Sequence, residues 1–138
     1  MTGTAGYSGT PLGKKLGYRE GMRVFVGDMP DPIRHEIESS IAARPNWLFV
    51  AEDGLEAAHV FTKDRAVLQQ RLSALSSLLA PSGFIWVSWP KKASKVPTDI
   101  TEDTIREICL PMNLVDVKVC AIDATWSGLK LVVRRELR

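Results

Sequence analysis

The sequence predicts an α/β domain: one mostly parallel sheet, helices on both faces, and an antiparallel strand at its C-terminal end. Three observations carry that reading. Short apolar segments alternate with segments whose apolar residues recur every three or four positions, as strands feeding crossover helices do. The stretch Phe84-Ile85-Trp86-Val87-Ser88-Trp89 is apolar almost without a break, the pattern of a strand covered on both faces. The last two apolar segments, 114–122 and 129–134, alternate in polarity and are joined only by a turn, so they form an antiparallel hairpin.

Each element has a local cause. Residues 1–20 are read as a glycine-rich arm holding a short helix, with Thr10 as its cap, Pro11 at its first position and Gly17 at its end. Residues 21–138 are read as the sheet domain. Its first strand, 22–26, ends at Gly27-Asp28. A helix then starts with Asp31 as cap and Pro32 at the first helical position, and Ile33, Ile37 and Ile41 give it one apolar stripe. Strands follow at 47–51 and 57–61, the former leaving through Glu52-Asp53-Gly54. Asp64 is placed to cap the next helix, whose Val67, Leu68, Leu72, Leu75, Leu78 and Leu79 share a face. Ala80-Pro81-Ser82-Gly83 stops that helix before the strand 84–89. Thr101 caps a last helix, with Glu102 and Asp103 in the first turn, where carboxylates suit the dipole. The order is β-α-β-β-α-β-α-β-β, and lysines in the closing hairpin suit a sheet edge.

Composition narrows the class. A chain of 138 residues with 45% hydrophobic and 25% charged residues is a single ordinary globular domain, not a disordered, collagen-like or disulfide-scaffold protein. No apolar run is long enough to span a bilayer, and the N-terminus lacks a signal-peptide pattern, so the expectation is a cytoplasmic protein with no membrane partner. Cys109 and Cys120 are expected to be buried free thiols. A net charge of +2 argues against nucleic acid as a partner.

Two resemblances arise at particular residues. Leu78-Leu79-Ala80-Pro81-Ser82-Gly83-Phe84-Ile85-Trp86-Val87 resembles a passage of Rossmann-like class I methyltransferases, and the closing strand pair is similar to theirs. The segments Gly6-Tyr7-Ser8-Gly9-Thr10-Pro11-Leu12, Trp89-Pro90-Lys91-Lys92-Ala93-Ser94 and Thr125-Trp126-Ser127-Gly128-Leu129-Lys130 together resemble a family of small bacterial proteins of unknown function. The resemblances imply a small Rossmann-like protein. The first implies S-adenosylmethionine as cofactor, lying against a G-x-G turn after the first strand. Here that turn is Gly27-Asp28-Met29-Pro30-Asp31-Pro32, with one glycine, so the sequence disfavours this cofactor and leaves its identity open. Glu52 or Asp53, after the second strand, is read either as a ribose ligand or as a solvated turn acid.

Ligands of open α/β sheets bind outside the carboxyl ends of the parallel strands. That rule brings together Asp28, Lys63, Trp89, Lys91, Lys92, Asp123, Thr125, Trp126 and Ser127, joined by Tyr7, Ser8 and Thr10 if the arm folds back. Ammonium groups beside aromatic rings suit a small anion with an apolar or planar part. The competing reading is that both tryptophans only close the core and the lysines are solvated. No nucleophile triad, phosphate loop or metal-ligand spacing is present, so no catalytic residue and no metal site is assigned. His35 is read as a surface or boundary residue and His59 as a core or boundary residue. Three functions stay open: a ligand-binding domain, a divergent methyltransferase, and an interaction module using the arm or the hairpin edge, including as a homodimer.

Overall fold

The structure, a computed structural model, describes residues 9–138. Its elements are α1 (Leu12–Leu16), β1 (Arg23–Gly27), α2 (Asp31–Ile41), β2 (Asn46–Leu48), β3 (Leu55–Phe61), α3 (Arg65–Ser76), β4 (Leu79–Pro90), α4 (Glu102–Cys109), β5 (Leu114–Ala121) and β6 (Trp126–Val133). The strands form one sheet in the order β2-β1-β3-β4-β6-β5. β1 to β4 are mutually parallel, and β6 lies antiparallel between β4 and β5. The mostly parallel α/β class and its closing hairpin are therefore as the sequence required. No helix among the described residues is long and apolar enough to cross a membrane.

The two-residue period of the strands sends side chains alternately to two cores. On one face Val24, Val26, Phe61, Phe84 and Trp86 pack against Leu12 and Leu16 of α1 and Ile33 and Ile37 of α2. On the other, Phe25, Val60, Ile85, Val87 and Trp89 pack against Leu68, Leu72 and Leu75 of α3 and Ile105 and Ile108 of α4. Both cysteines are buried and free.

Local chemistry moves several boundaries. The position before α1 is Pro11, and Thr10 makes no side-chain cap, while Gly17 ends the helix with φ 85°. Gly13 is where α1 meets α2: a Cβ there would lie 2.9 Å from the Ile37 carbonyl oxygen. α2 starts one residue early, so Pro30 precedes it and Asp31 is helical, paired with Arg34 at 3.2 Å. α3 ends at Ser76 rather than running through Leu79. Leu79 instead pairs with Leu55, and the Leu78 carbonyl accepts from the Leu55 N–H at 3.0 Å. β2 stops at Leu48, and residues 49–54 return as a helix-free strap towards β3. Arg23, at the start of β1, donates to Glu52 and to the carbonyls of Asp53 and Gly54. Those acids thus lie at the amino edge of the sheet, away from the mouth where a ribose ligand would stand.

Candidate functional site

The carboxyl end of β4 and the turn entering β6 are held side by side. The Lys91 N–H donates to the Thr125 carbonyl at 2.8 Å, and Pro90 faces Trp126 across the ladder. Asp123 shapes that turn, its carboxylate accepting from the Thr125 and Trp126 N–H groups at 2.8 Å each. The lysine loop and the tryptophan turn do share one mouth.

Their side chains divide between the two faces. Trp89 faces Ser127 on the α3/α4 side, and Trp126 faces Pro90 on the α1/α2 side. Trp126 meets Phe61 edge-on, centroids 5.1 Å apart. The structure therefore does not bring the two tryptophans together. Asp28 is also remote. It follows β1, which β3 separates from β4, roughly 10 Å at the usual strand spacing. Its carboxylate pairs with Arg71 at 3.4 Å. Thr10 precedes α1, and Tyr7 and Ser8 lie outside the described residues.

What the mouth does hold is a groove of about 790 Å³ between the end of β4, residues 91–101 and the start of α4. Trp89, Val96, Pro97 and Ile100 give it an apolar wall; Lys91, Lys92, Lys95, Thr98 and Ser127 give it polar groups. Arg106, Glu102 and Asp103 stand at its far end. Those three are occupied with one another and with Asp116, at 2.9–3.0 Å. The hydrogen bonds that Arg106 donates, to Asp116 first and then to Glu102, push its pKa further up, so its charge is permanent and locally answered. The lysines are not answered: every ion pair among the described residues is made by an arginine.

The loop forming the groove is fastened at its far end. The Thr98 hydroxyl donates to the Lys63 carbonyl at 2.7 Å, and the Asp99 carboxylate accepts from the Arg65 N–H at 2.7 Å. Asp99 thus does for α3 the work the sequence assigned to Asp64, whose side chain caps nothing. Lys63 enters through its backbone, and its side chain is exposed beside the loop. At the other helix the reading of Thr101 holds: it and Thr104 form a reciprocal cap. Near that helix, burial first and the Asp116 charge second push the Cys109 thiol up to about 11, which leaves it protonated.

One polar assembly lies outside any sequence pattern. The Tyr18 hydroxyl lies 3.0 Å from His59 Nδ1, and His59 Nε2 lies 2.7 Å from the Ser88 hydroxyl, all in the core of the α1/α2 face. Burial pulls the His59 pKa down to about 3, so the ring is neutral, with one nitrogen donating and the other accepting. Burial likewise raises Tyr18. A histidine inside an apolar strand was the only signal in the sequence. Among the described residues His59 and Ser88 are fully buried and Tyr18 nearly so, so the assembly serves as a structural tie. Among the described residues no group of His, Cys, Asp and Glu could hold a metal ion.

The residues at the β1 mouth can be tested against S-adenosylmethionine. The Arg71 guanidinium packs over Gly27, 3.3 Å from where a Cβ would stand, and over the Phe25 ring. Asp28 follows at φ 59° in place of a second small residue. β2 is followed by Phe49, Val50 and Ala51, so no carboxylate stands at its end. These residues do not fit the cofactor in the way the resemblance places it.

No family model matches the chain, and no curated protein does. Solved structures do match. A TehB-like SAM-dependent methyltransferase from Corynebacterium glutamicum is similar over 94% of this chain and 91% of its own, with TM-score 0.54 and 9% identity. A SAM-dependent methyltransferase from Aquifex aeolicus matches over 87% of each chain, with TM-score 0.58 and 13% identity. A methyltransferase described from Thermoplasma acidophilum, matched over 95% of this chain and 76% of its own, gives TM-score 0.59 and 10% identity. Identities this low speak to architecture alone: the chain has the Rossmann-like fold of these methyltransferases.

Proposed function

We propose that the protein binds a small anionic ligand with a planar or apolar part, in the groove at the end of β4. One observation carries this reading: Lys91, Lys92 and Lys95, none of them ion-paired among the described residues, line a groove of about 790 Å³ whose wall is Trp89, Val96, Pro97 and Ile100. Lysine is a compact, mobile cation suited to carboxylate or phosphate, and an apolar wall suits the rest of such a ligand. A reducing cytoplasm suits its two free buried thiols. Thermal-shift screening with small carboxylates and phosphates tests the proposal. A stabilising anion should lose most of its effect in Lys92→Ala and Lys95→Ala and keep it in Trp126→Ala, whose ring lies on the other face. Equal shifts in all variants would refute the assignment.

A second reading, a divergent methyltransferase, is favoured by the fold likeness. Calorimetry with S-adenosylmethionine decides it: saturable heat at millimolar ligand would support it, and its absence would remove it.

A further inference from the structure

We propose a second anion site, for a phosphate-type oxyanion, on the α1/α2 face of the β5–β6 hairpin, formed by Lys15, Lys118 and Lys130. Lys118 and Lys130 are direct cross-strand partners in the antiparallel pair. Like charges placed that way repel and lower stability. Both side chains fold over the same core face: Lys130 Nζ lies 4.4 Å from the Phe84 ring centroid and Lys118 Nζ 6.0 Å from that of Trp86. Lys15 stands on α1, whose Leu12 and Leu16 share the buried core of this face with Cys120, two residues beyond Lys118. Two ammonium groups therefore share one patch, and a third lysine stands on the helix that covers the same face. None of them has an ion-pair partner among the described residues.

The backbone explains why no acid answers them. In a regular strand Asp116 and Lys118 would share a face. The register of β5 on β6 slips between these two residues, leaving Val117 as the extra one. The slip turns Asp116 towards α4, where it holds Arg106 at 3.0 Å, and leaves Lys118 beside Lys130. Burial, and then the facing Lys118, lower the Lys130 pKa, the electrostatic signature of a cation short of counter-charge. Aromatic faces offset part of the repulsion. An oxyanion bridging the ammonium groups would neutralise the rest, and lysine is a standard point-charge ligand for phosphate.

This site shares no residue with the β4 groove, so the two assignments fail separately. The test is a calorimetric and ³¹P NMR titration of the full chain with inorganic pyrophosphate at low ionic strength. Wild type should bind saturably. In a Lys91→Gln/Lys92→Gln background, which takes away the groove's own lysines, pyrophosphate should still bind saturably, and adding Lys118→Gln with Lys130→Gln should weaken that binding at least tenfold. Free of anion, Lys118→Gln should melt about 1–3 °C above wild type, because one repulsion is gone. Undiminished binding when the hairpin lysines are replaced in that background, no saturable binding by the background itself, or no binding by wild type would each overturn the proposal. So would a lower melting point of Lys118→Gln.

Discussion

The two faces of the sheet are covered by different means. Over the α3/α4 face, the three-turn helix α3 is held by Leu68, Leu72 and Leu75, with no buried polar bond needed. Over the other, α1 has only five residues, too few to be stable alone. It is pinned by direction: Trp86 Nε1–H donates to the Leu16 carbonyl at 2.8 Å, the Gly13 N–H donates to the Ser40 hydroxyl at 2.9 Å, and Tyr18 ties to His59. A long helix can be seated by apolar area, which tolerates sliding; a short one needs bonds that fix its position. The buried polar chain is best understood as that fixing device.

Changes on either face should therefore read out differently. Leu72→Ala should have the largest effect, costing about 2–5 kcal/mol in denaturant unfolding, spread over the whole domain. Acid should come next. His59, ordinarily near 6.5, stays unprotonated in the folded protein down to about 3. Between those values the unfolded chain binds a proton the folded one does not, so this contribution is complete above pH 6.5 and is lost as pH falls towards 3. Unfolding at pH 5 should show about 2 kcal/mol less stability than at pH 7, and His59→Gln should flatten that slope. Tyr18→Phe should cost about 1–3 kcal/mol by leaving one imidazole nitrogen unpaired. Its amide exchange should rise across residues 12–18 and stay unchanged in α3; equal loosening of α3 would break the contrast between the faces. Arg71→Gln, which removes a largely solvated ion pair, should change stability by no more than about 0.5 kcal/mol.

Much of this was legible in the chain. Element order followed from apolar periodicity, the antiparallel closure from the missing crossover, and the Thr101 cap from its place before Glu102 and Asp103. The meeting of Lys91 with Thr125 followed from topology alone. What sequence withheld was parity. Trp89 and Trp126 differ by one step in the ladder, and a one-residue offset sends side chains to opposite faces. The same holds for Asp116 and Lys118, which alternate as same-face neighbours until the register slips between them. Glu52 reads as the exit of a strand only if that strand runs to residue 51. Its end at Leu48 turns the following residues into a return strap. The Tyr18–His59–Ser88 chain joins positions 41 and 29 residues apart, and no local pattern encodes such a meeting.

The way Asp99 serves the first turn of α3 has a mechanical corollary. Whatever draws residues 98–99 inward over the groove must stretch the bond to the Arg65 amide and the one to the Lys63 carbonyl together. Occupancy of the mouth would then be felt at the root of a helix whose own leucines never touch the guest, and the Arg65 N–H resonance would serve as its reporter.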